Sequence, residues 1–291
     1  MSESRVPSPE SRPSNPESRK IAFIGGGNMA RSLIAAQLAR GVPPAAIAVA
    51  EPRADAREAL SREFGIPIFE DNAAAVAGAD CVVLAVKPQV MQAVCAALAV
   101  PLRGTGPLVI SIAAGVRIAQ IEKLLGDGHA IVRCMPNTPA LVGAGAAGLC
   151  ANGNVDAGQR ALAERLLDAA GIVRWIDDEA QIDAVTALSG SGPAYFFLLV
   201  EAMEDAAVQL GLPRDTARAL AAQTCLGAGH MLADGNETAA ELRKRVTSPH
   251  GTTAAALDIF EQGGFRALVE RALDAAQRRG AEMSAEMDAG P

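Results

Sequence analysis

Short apolar runs alternate with amphipathic stretches from Lys20 to about Asp178. The run Ile21-Ala22-Phe23-Ile24 is followed by similar runs at residues 47–50, 81–86, 108–112 and 130–135. Continuous apolar runs of this length are typical of parallel strands buried on both faces. Stretches of helical period lie between them, with helices expected at about residues 54–64, 89–98 and 118–125. This alternation predicts an α/β fold with a doubly wound sheet over residues 20–178. Two weaker strands are expected at residues 146–150 and 172–176, around a helix at 156–170.

The pattern changes at Glu179, after which long helical periods dominate. Helices are predicted at residues 195–210, 215–232, 237–246, 253–262 and 265–287. This pattern predicts an all-helical second domain over residues 179–291. The stripe that contains Phe196, Leu199 and Met203 is more apolar than one small domain can readily cover, so a subunit interface is expected. A self-contained helical bundle is the alternative.

Three glycines follow the first strand, and their spacing matches a dinucleotide-binding turn. Gly25-x-Gly27-x-x-Ala30 lies between a predicted strand and a predicted helix, which strengthens the pattern. Gly25 can adopt the turn, Gly27 leaves room for a pyrophosphate, and Ala30 lets the helix lie close on the strand. The helix predicted from about Arg31 offers free N–H groups and its dipole to the anion at its start. The sequence therefore predicts an N-terminal Rossmann-type sheet, and a glycine turn in another α/β protein is the alternative.

A charged pair follows the second strand, where dinucleotide-binding domains distinguish their cofactors. Glu51 ends the strand about 20 residues past the glycines, where a carboxylate can bind a ribose hydroxyl. A carboxylate there repels the 2′-phosphate of NADPH, whereas Arg53 attracts it. The sequence therefore predicts that the protein uses both NADP(H) and NAD(H).

Three further loops follow predicted strands and should line the cofactor crevice, which forms at the carboxyl ends of parallel strands. They are Lys87-Pro88, Ala113-Ala114-Gly115 and Met135-Pro136-Asn137-Thr138-Pro139-Ala140. Asn137 and Thr138 can hydrogen-bond a carboxamide or a ribose, and the two prolines around them favour a rigid ledge. Lys87 fits a structural cap as well as it fits a ligand contact. An ordinary strand-to-helix turn is the alternative for each loop.

Two segments of small and hydroxylated residues open helices in the predicted helical domain. Ser189-Gly190-Ser191-Gly192-Pro193-Ala194-Tyr195 lets another backbone approach closely, as a pocket wall or as a hinge. Thr247-Ser248-Pro249-His250-Gly251-Thr252-Thr253 presents unpaired N–H groups and hydroxyls at a helix start, which suits a carboxylate. A threonine cap without a ligand is the alternative for this second segment.

Composition excludes several classes of function. The chain has a net charge of −7 and a pI near 5.1, and no basic patch is interleaved with aromatics, so no nucleic-acid partner is expected. Its five cysteines form no Cys-x-x-Cys pair and its three histidines lack ligand spacing, which predicts free thiols in a reducing cytoplasm and no metal site. No membrane span is expected. Residues 1–19 are rich in Ser and Pro and are expected to form a disordered tail.

The sequence lacks a strong candidate pair for proton transfer. Many dehydrogenases of hydroxy acids use a lysine, or a histidine with a carboxylate, to move the alcohol proton. The predicted helix near Tyr195 carries no lysine on its early face. A substrate that arrives already protonated, such as an iminium, needs no such group, because the hydride attacks carbon and a hydroxyl can steady the nitrogen. This absence favours an imine substrate.

Six of these segments together resemble one enzyme family. In chain order they are Phe23–Ala30, Ala85–Pro88, Ser111–Val116, Met135–Ala140, Ser189–Tyr195, and Ser248-Pro249 with Gly251-Thr252-Thr253. With them the chain resembles pyrroline-5-carboxylate reductase over residues 20 to about 286. The resemblance implies hydride transfer from NAD(P)H to the imine carbon of 1-pyrroline-5-carboxylate, which gives L-proline in the last step of proline biosynthesis. It also implies a helix-swapped homodimer, often a decamer, with the substrate pocket at the dimer interface.

The resemblance also implies roles for individual residues. Thr253 is expected to hydrogen-bond the imine nitrogen as the catalytic residue. The backbone of Gly251 and Thr252, together with Ser248, is expected to hold the substrate carboxylate. The residues expected along the cofactor are Gly25, Gly27, Asn28, Met29, Ala30, Glu51, Arg53, Ala85, Lys87, Pro88 and Asn137.

One departure from the family pattern and two alternative functions stay open. The family usually has glycine where His250 stands, so this side chain either faces solvent harmlessly, alters the loop, or adds a titrating group. NADPH is slightly preferred on family grounds. The first alternative is an imine reductase or β-hydroxyacid dehydrogenase of related architecture. The second is a redox sensor that binds a dinucleotide without turnover, against which the intact Ser248, Thr252 and Thr253 set argues.

Overall fold

One eight-stranded sheet organises the chain, for which a computed structural model describes residues 19–289. The expected disorder of residues 1–19 lies outside the described residues, apart from Arg19. In chain order the strands are β1 Ile21–Ile24, β2 Ile47–Ala50, β3 Ile68–Phe69, β4 Cys81–Leu84, β5 Leu108–Ser111, β6 Ile131–Met135, β7 Gly145–Ala151 and β8 Gly171–Trp175. Their spatial order is β3-β2-β1-β4-β5-β6-β7-β8.

The strand order confirms the predicted Rossmann-type sheet. Strands β1 to β6 are parallel and follow the order 3-2-1-4-5-6 of dinucleotide-binding folds. β7 runs antiparallel to β6, and β8 runs parallel to β7. β3 was not predicted, because two half-buried residues leave too short a hydrophobic pattern. The order reverses at β1, which pairs with β2 on one side and β4 on the other, so the ligand crevice is expected at the carboxyl ends of these strands.

Helices cover both faces of this sheet. They are α1 Asn28–Ala39, α2 Ala54–Phe64, α3 Asn72–Val76, α4 Met91–Leu98, α5 Ile118–Leu125 and α6 Ala157–Leu167. Successive strand residues pack into two separate cores, because side chains alternate between the two faces of a sheet. Ile21 and Phe23 of β1 join the core that includes residues of α1 and α6. Ala22 and Ile24 join the core that includes residues of α4 and α5.

The chain beyond β8 is helical throughout its described part. It contains α7 Ile182–Val185, a π turn at Thr186–Gly190, α8 Gly192–Gln209, α9 Arg214–Ala233, α10 Ala239–Arg245, α11 Thr252–Gln262 and α12 Phe265–Ala289. All five predicted helices of this region are present within three residues of their predicted ends. α8 begins earlier than predicted because Pro193 is accommodated in its first turn.

These helices leave much of their apolar surface uncovered. Of the 23 large hydrophobic residues that are exposed in the described chain, 18 lie beyond Glu179. The densest group, here called the apolar helical face, consists of Phe196, Phe197, Leu198, Leu199 and Met203, which are 39–68% exposed. The single chain therefore contradicts the alternative of a self-contained bundle, because such a bundle would bury these side chains.

One helical stretch has the dimensions of a membrane span by length and composition alone, which the sequence analysis did not expect. Within Glu179–Gln209, an 18-residue window reaches a mean hydropathy of 1.2, and 17% of this window is buried. The π turn at Thr186–Gly190 interrupts the stretch. Its hydropathy includes the apolar helical face, whose side chains project from α8.

A buried cation joins the sheet to the helical region. Arg133 of β6 is 3% exposed, and its guanidinium contacts Glu179 at 3.2 Å and Asp183 at 3.1 Å. Glu179 also accepts the backbone N–H of Ile118 at 2.8 Å. α12 then returns to the sheet side of the molecule, where Gln120 donates a hydrogen bond to the carbonyl of Ser284 at 3.0 Å.

Candidate active site

The turn after β1 fits tightly against the end of β4. Gly25 has a φ of +96°, and its N–H donates to the Ala50 carbonyl at 2.8 Å. A Cβ at Gly25 would lie 2.6 Å from the carbonyl oxygen of Ala85. The Ala85 N–H in turn donates to Ile24 at 2.9 Å. Glycine is therefore required both by the left-handed backbone and by the close approach of the two strand ends.

The start of α1 forms an open cradle beside this turn. A Cβ at Gly27 would meet nothing within 4 Å, and no side chain caps the helix at this position. The N–H groups of Asn28, Met29 and Ala30 lie in the first turn, where helices lack internal partners for them. Ala30 is fully buried, as close packing of helix on strand demands. These residues fit the pyrophosphate of a dinucleotide.

Glu51 is held more firmly than the sequence suggested. Its carboxylate is buried and accepts the N–H of Gly26 at 3.2 Å and the N–H of Arg53 at 3.2 Å. The Arg53 guanidinium lies 3.4 Å away, and its side chain is 68% exposed. The Glu51 carboxylate is therefore a fixed acceptor beside the glycine turn, and the Arg53 guanidinium is a cation exposed to solvent.

Lys87, in the loop after β4, does not cap the turn that follows it. Lys87 is exposed and precedes a short 3₁₀ turn at Pro88–Val90, but its side chain makes no capping hydrogen bond. The structural-cap alternative is therefore not observed. Ala85 and Pro88 are half-buried next to the glycine turn, at the carboxyl edge of the sheet.

Asn137 differs most from its predicted role. Its side chain is 8% exposed, and both ends of the amide bind protein groups rather than pointing into open space. Oδ1 accepts the N–H of Ala146 at 2.9 Å, and Nδ2 donates to the carbonyl of Ser189 at 3.0 Å. A side-chain contact to a carboxamide or ribose is thus not supported, because the amide that would make it is engaged inside the fold.

The Met135–Ala140 segment packs against the Ser189–Tyr195 segment. The π turn lies where Ser189 and Gly190 precede α8. A Cβ at Gly190 would come within 2.4 Å of the terminal carbon of Met135, the last residue of β6. The structure therefore joins the Met135–Ala140 and Ser189–Tyr195 segments into one wall, which favours the pocket-wall interpretation of the second segment.

The segment before α11 forms a tight turn with a free helix start. The Gly251 N–H donates to the Ser248 carbonyl at 3.1 Å, around Pro249 and His250. His250 has a φ of 59° and is the one non-glycine residue at positive φ in the described chain, which makes this a type II turn. The exposed imidazole thus leaves intact the left-handed backbone that glycine would adopt freely.

No side chain caps α11, so the threonine-cap alternative is not observed. Gly251 occupies the N-cap, and the hydrogen bonds of the described residues include none to the Ser248, Thr252 or Thr253 hydroxyls. Thr253 is half-buried, whereas Ser248 and Thr252 are exposed. The helix start therefore offers free N–H groups and hydroxyls to a small anion.

Within the described chain, hydrogen bonds do not join this turn to the cofactor crevice. Its hydrogen bonds are local, and those of the described residues join it neither to the glycine turn nor to the loop after β6. The glycine turn, Glu51 and Ala85 are mutual neighbours, whereas the Ser248–Thr253 turn lies on the helical region.

The buried thiols are not nucleophiles. Burial raises the pKa of Cys81, Cys134 and Cys150, and it raises that of Cys95 to about 12. These thiols therefore stay protonated at neutral pH. All five cysteines are free, and the described residues contain no group of three His, Cys, Asp or Glu side chains that could hold a metal ion.

Two family models match the chain. The model described as pyrroline-5-carboxylate reductase dimerisation matches residues 179–283. The model described as NADP oxidoreductase, coenzyme F420-dependent, matches residues 20–115. The two matches correspond to the helical region and to the first strands of the sheet.

Full-length relatives agree with these matches. A pyrroline-5-carboxylate reductase of Pseudomonas aeruginosa is 56% identical over 268 residues, which cover 92% of this chain and 98% of the relative. The chain belongs to the pyrroline-5-carboxylate reductase family. The solved structure of the Coxiella burnetii reductase has a TM-score of 0.89 at 46% identity, covering 92% and 99% of the two chains. That of the Plasmodium falciparum reductase with NADP bound has a TM-score of 0.81 at 30% identity, covering 92% and 99%.

Membership of the pyrroline-5-carboxylate reductase family confirms the predicted class of function. The protein is an NAD(P)-dependent oxidoreductase of proline biosynthesis, with a Rossmann-type sheet followed by helices. It acts on a small molecule, and the dimerisation match together with the uncovered apolar helical face supports oligomerisation.

Several residues that shape this site were not predicted as site residues from the sequence. Gly26 was passed over, although a Cβ there would lie 2.4 Å from Leu60 and its N–H binds Glu51. Tyr195 was noted only as part of a segment, yet its hydroxyl donates to the Ala187 carbonyl at 3.0 Å. Arg133 could have been found, because a charged residue inside an apolar strand signals a buried partner.

Proposed function

We propose that the protein reduces 1-pyrroline-5-carboxylate to L-proline with NADPH or NADH, in a site shared by two subunits. The observation that carries this proposal is the presence of two complementary parts on different regions of the chain. The crevice at the glycine turn fits a dinucleotide, the Ser248–Thr253 turn fits a small carboxylate, and no hydrogen bond of the described residues joins the two. The exposed apolar helical face supplies the surface through which a second copy can bring them together.

The residues of the sheet would hold the cofactor. Gly25, Gly27 and the start of α1 at Asn28, Met29 and Ala30 would bind the pyrophosphate through N–H groups and the helix dipole. Ala85, Lys87 and Pro88 would lie along a ribose. When it is bound, the reduced nicotinamide supplies a hydride.

The turn before α11 would bind and orient the substrate. The Thr252 N–H and the Ser248 hydroxyl would hold the carboxylate beside the backbone of Gly251, whose own N–H closes the turn, because this helix start has no side-chain cap. The Thr253 hydroxyl would donate a hydrogen bond to the imine nitrogen or accept one from its protonated form. An iminium carries the proton that the product amine needs, so the turn has only to orient the ring.

The assembly is proposed as a helix-swapped homodimer that can form a decamer. The proposed boundary between the cofactor domain, residues 20–178, and the dimerisation and substrate domain, residues 179–291, follows the change from sheet to helices after Trp175. Pairing through the apolar helical face would also account for the hydropathy of Glu179–Gln209 without a membrane. A cytoplasmic location is supported by five free cysteines.

Both cofactors should serve, with NADPH slightly preferred. Glu51 presents a fixed acceptor for the ribose hydroxyls of NADH, and Arg53 remains free enough to meet a 2′-phosphate. Steady-state rates with pyrroline carboxylate and each cofactor would measure the preference. A bias of about a hundredfold towards either cofactor would contradict these roles, because it requires about 2.7 kcal/mol of discrimination.

Thr253→Ala tests the catalytic assignment. We expect kcat to fall about tenfold, the effect of losing roughly 1.4 kcal/mol of hydrogen bonding at the imine nitrogen. The NADPH dissociation constant, measured by fluorescence titration, should be unchanged. Thr252→Ala is the matched control, because its proposed contact comes from the backbone and should survive.

Two results would contradict these assignments. Equal losses of turnover and dinucleotide affinity in Thr253→Ala would place Thr253 in folding rather than in catalysis. A wild-type protein that binds NADPH tightly, yet shows no proline-dependent reduction of NADP⁺ or NAD⁺ at high pH, would instead be a dinucleotide sensor.

A further inference from the structure

The π turn at Thr186–Gly190 is the most unusual backbone feature near the proposed site. Its closing hydrogen bond runs from the Ser191 N–H to the Thr186 carbonyl at 2.8 Å, and α8 begins directly after it. π turns are rare single-turn insertions and occur often at functional sites. Such a turn breaks the regular ladder of helical hydrogen bonds, so other groups must bind the carbonyls that it frees.

Two side chains bind carbonyls of this turn. The Tyr195 hydroxyl donates to the Ala187 carbonyl at 3.0 Å, and Asn137 Nδ2 donates to the Ser189 carbonyl at 3.0 Å. Tyr195 belongs to α8 itself, so its bond is local. Asn137 belongs to the loop after β6, so its bond crosses from the sheet to the helical region.

Asn137 also fixes the loop on which it stands. Its Oδ1 accepts the N–H of Ala146 in the adjacent strand β7 at 2.9 Å. The neighbouring Met135 packs its terminal carbon against Gly190, where a Cβ would come within 2.4 Å. One buried amide therefore holds the loop after β6, β7 and the π turn in a single arrangement.

We propose that Asn137 is a positioning residue, which holds the loop after β6 against the π turn and thereby sets the distance between cofactor and substrate. The inference rests on the proposed function. The loop lies at the carboxyl edge of the sheet, where the cofactor binds, and the π turn opens the helix that carries the apolar helical face. A shift of this contact would move the cofactor crevice relative to the interface that brings in the substrate, and reactions of bound groups are sensitive to displacements of about 1 Å.

Asn152 provides a matched control in the same sheet. Its side chain also bridges backbone groups, accepting the Ile131 N–H at 3.1 Å and donating to the His129 carbonyl at 2.9 Å. It follows β7 and lies beside the amino end of β6, away from the crevice, where it also donates to the Glu122 carboxylate at 2.7 Å. Asn137→Ala and Asn152→Ala therefore remove similar hydrogen bonds at opposite ends of one strand.

The experiment compares these two variants and Asn137→Asp with the wild-type protein. Asn137→Asp keeps an acceptor for Ala146 but loses the donor to Ser189. Hydrogen exchange of the cofactor-free protein should show faster exchange at residues 186–191 in both Asn137 variants and not in Asn152→Ala. We expect kcat to fall about tenfold in the Asn137 variants, with a larger deuterium isotope effect from 4-deuterated NADPH, while its dissociation constant changes less than about twofold.

Different outcomes separate this inference from the proposed function. If wild-type protein does not reduce pyrroline carboxylate, the proposed function fails, whatever the exchange data show. If it does, and Asn137→Ala loses only thermal stability as Asn152→Ala does, Asn137 is structural and the inference is overturned. A rise of tenfold or more in the NADPH dissociation constant, with kcat unchanged at saturation, would overturn it in favour of direct cofactor binding.

Discussion

At the scale of single residues, three adjacent glycines serve different purposes. Gly25 is required by its positive φ and by its contact with Ala85, and Gly26 by the approach of Leu60. Gly27 has open space around its missing side chain. The fold therefore explains the first two glycines, whereas no contact in the described chain requires the third, which suits a ligand that approaches the backbone.

Gly27→Val should weaken cofactor binding without harming the fold. The valine side chain would occupy the space proposed for the pyrophosphate, so we expect the NADPH dissociation constant to rise at least about tenfold, or roughly 1.4 kcal/mol. The thermal midpoint should stay close to that of the wild type. Fluorescence titration and calorimetry measure the two quantities.

Gly26→Val is the contrasting control. Its side chain would collide with Leu60 and disturb the N–H that binds Glu51, so stability should fall together with binding. Unchanged NADPH affinity in Gly27→Val would contradict the placement of the pyrophosphate at this turn.

The thiols offer a second test at this scale. Burial raises the pKa of Cys81, Cys95, Cys134 and Cys150, so each stays protonated and inert at about pH 8, below its folded pKa. The half-buried Cys225 is the remaining thiol. We expect a thiol reagent to label at most one cysteine in the native protein and all five after denaturation. Labelling of two or more sites in the native protein, counted by mass spectrometry, would contradict the buried positions.

At the scale of elements, one strand connects the sheet to the helices. β6 carries Arg133 in its middle and ends at the loop that contains Asn137. Arg133 binds Glu179 and Asp183 at the start of the helical region. Asn137 binds the carbonyl of Ser189 in the π turn that follows. β6 therefore helps to fix the relative position of the two regions, together with the Gln120–Ser284 contact between α5 and α12.

Arg133→Ala should destabilise the protein strongly. It removes the buried cation and leaves the partly buried carboxylates of Glu179 and Asp183 unpaired, which costs about 3 kcal/mol. Arg40→Ala is the control, because Arg40 pairs with Asp168 in an exposed bridge worth about 1 kcal/mol or less. Urea denaturation compares the two. Similar midpoints for both variants would show that the Arg133 contacts do not contribute as their burial suggests.

At the scale of the whole molecule, large hydrophobic side chains are buried mainly around the sheet and exposed mainly in the helical region. The sheet has a core on each face, whereas the described helices beyond Glu179 bury few large side chains. A soluble chain rarely leaves a contiguous apolar patch of this kind uncovered. Together with the match to a dimerisation model, this exposure supports burial of the helical region by oligomerisation.

Phe197→Asp should disrupt this association. Phe197 is 68% exposed in the single chain, and a charge there would be desolvated in an apolar interface. We expect a shift towards monomer in light scattering, loss of reductase activity, and retention of NADPH binding by the sheet. Val100→Asp is the control, because Val100 is equally exposed, at 71%, but lies outside the helical region. An unchanged oligomer in Phe197→Asp would place the interface elsewhere.

Most elements followed from local patterns, and the exceptions have physical causes. The helices Ala54–Phe64 and Ile118–Leu125 match their predicted limits because apolar periodicity and terminal residues agree. The direction of β7 was not predicted, because apolar patterns do not encode strand orientation. The π turn was missed because no local signal distinguishes it from an α-helix, and its partners, Asn137 and Met135, are about 50 residues away.

The sequence by itself determined the sheet, the glycine turn and the family, because these depend on residue types at short spacings. Only the tertiary structure decided what Asn137, Arg133 and Glu51 contact, because side-chain partners are set by which distant segments fold together. It also decided that the helical region of a single chain leaves many large apolar side chains uncovered. That exposure is a property of packing rather than of any local pattern.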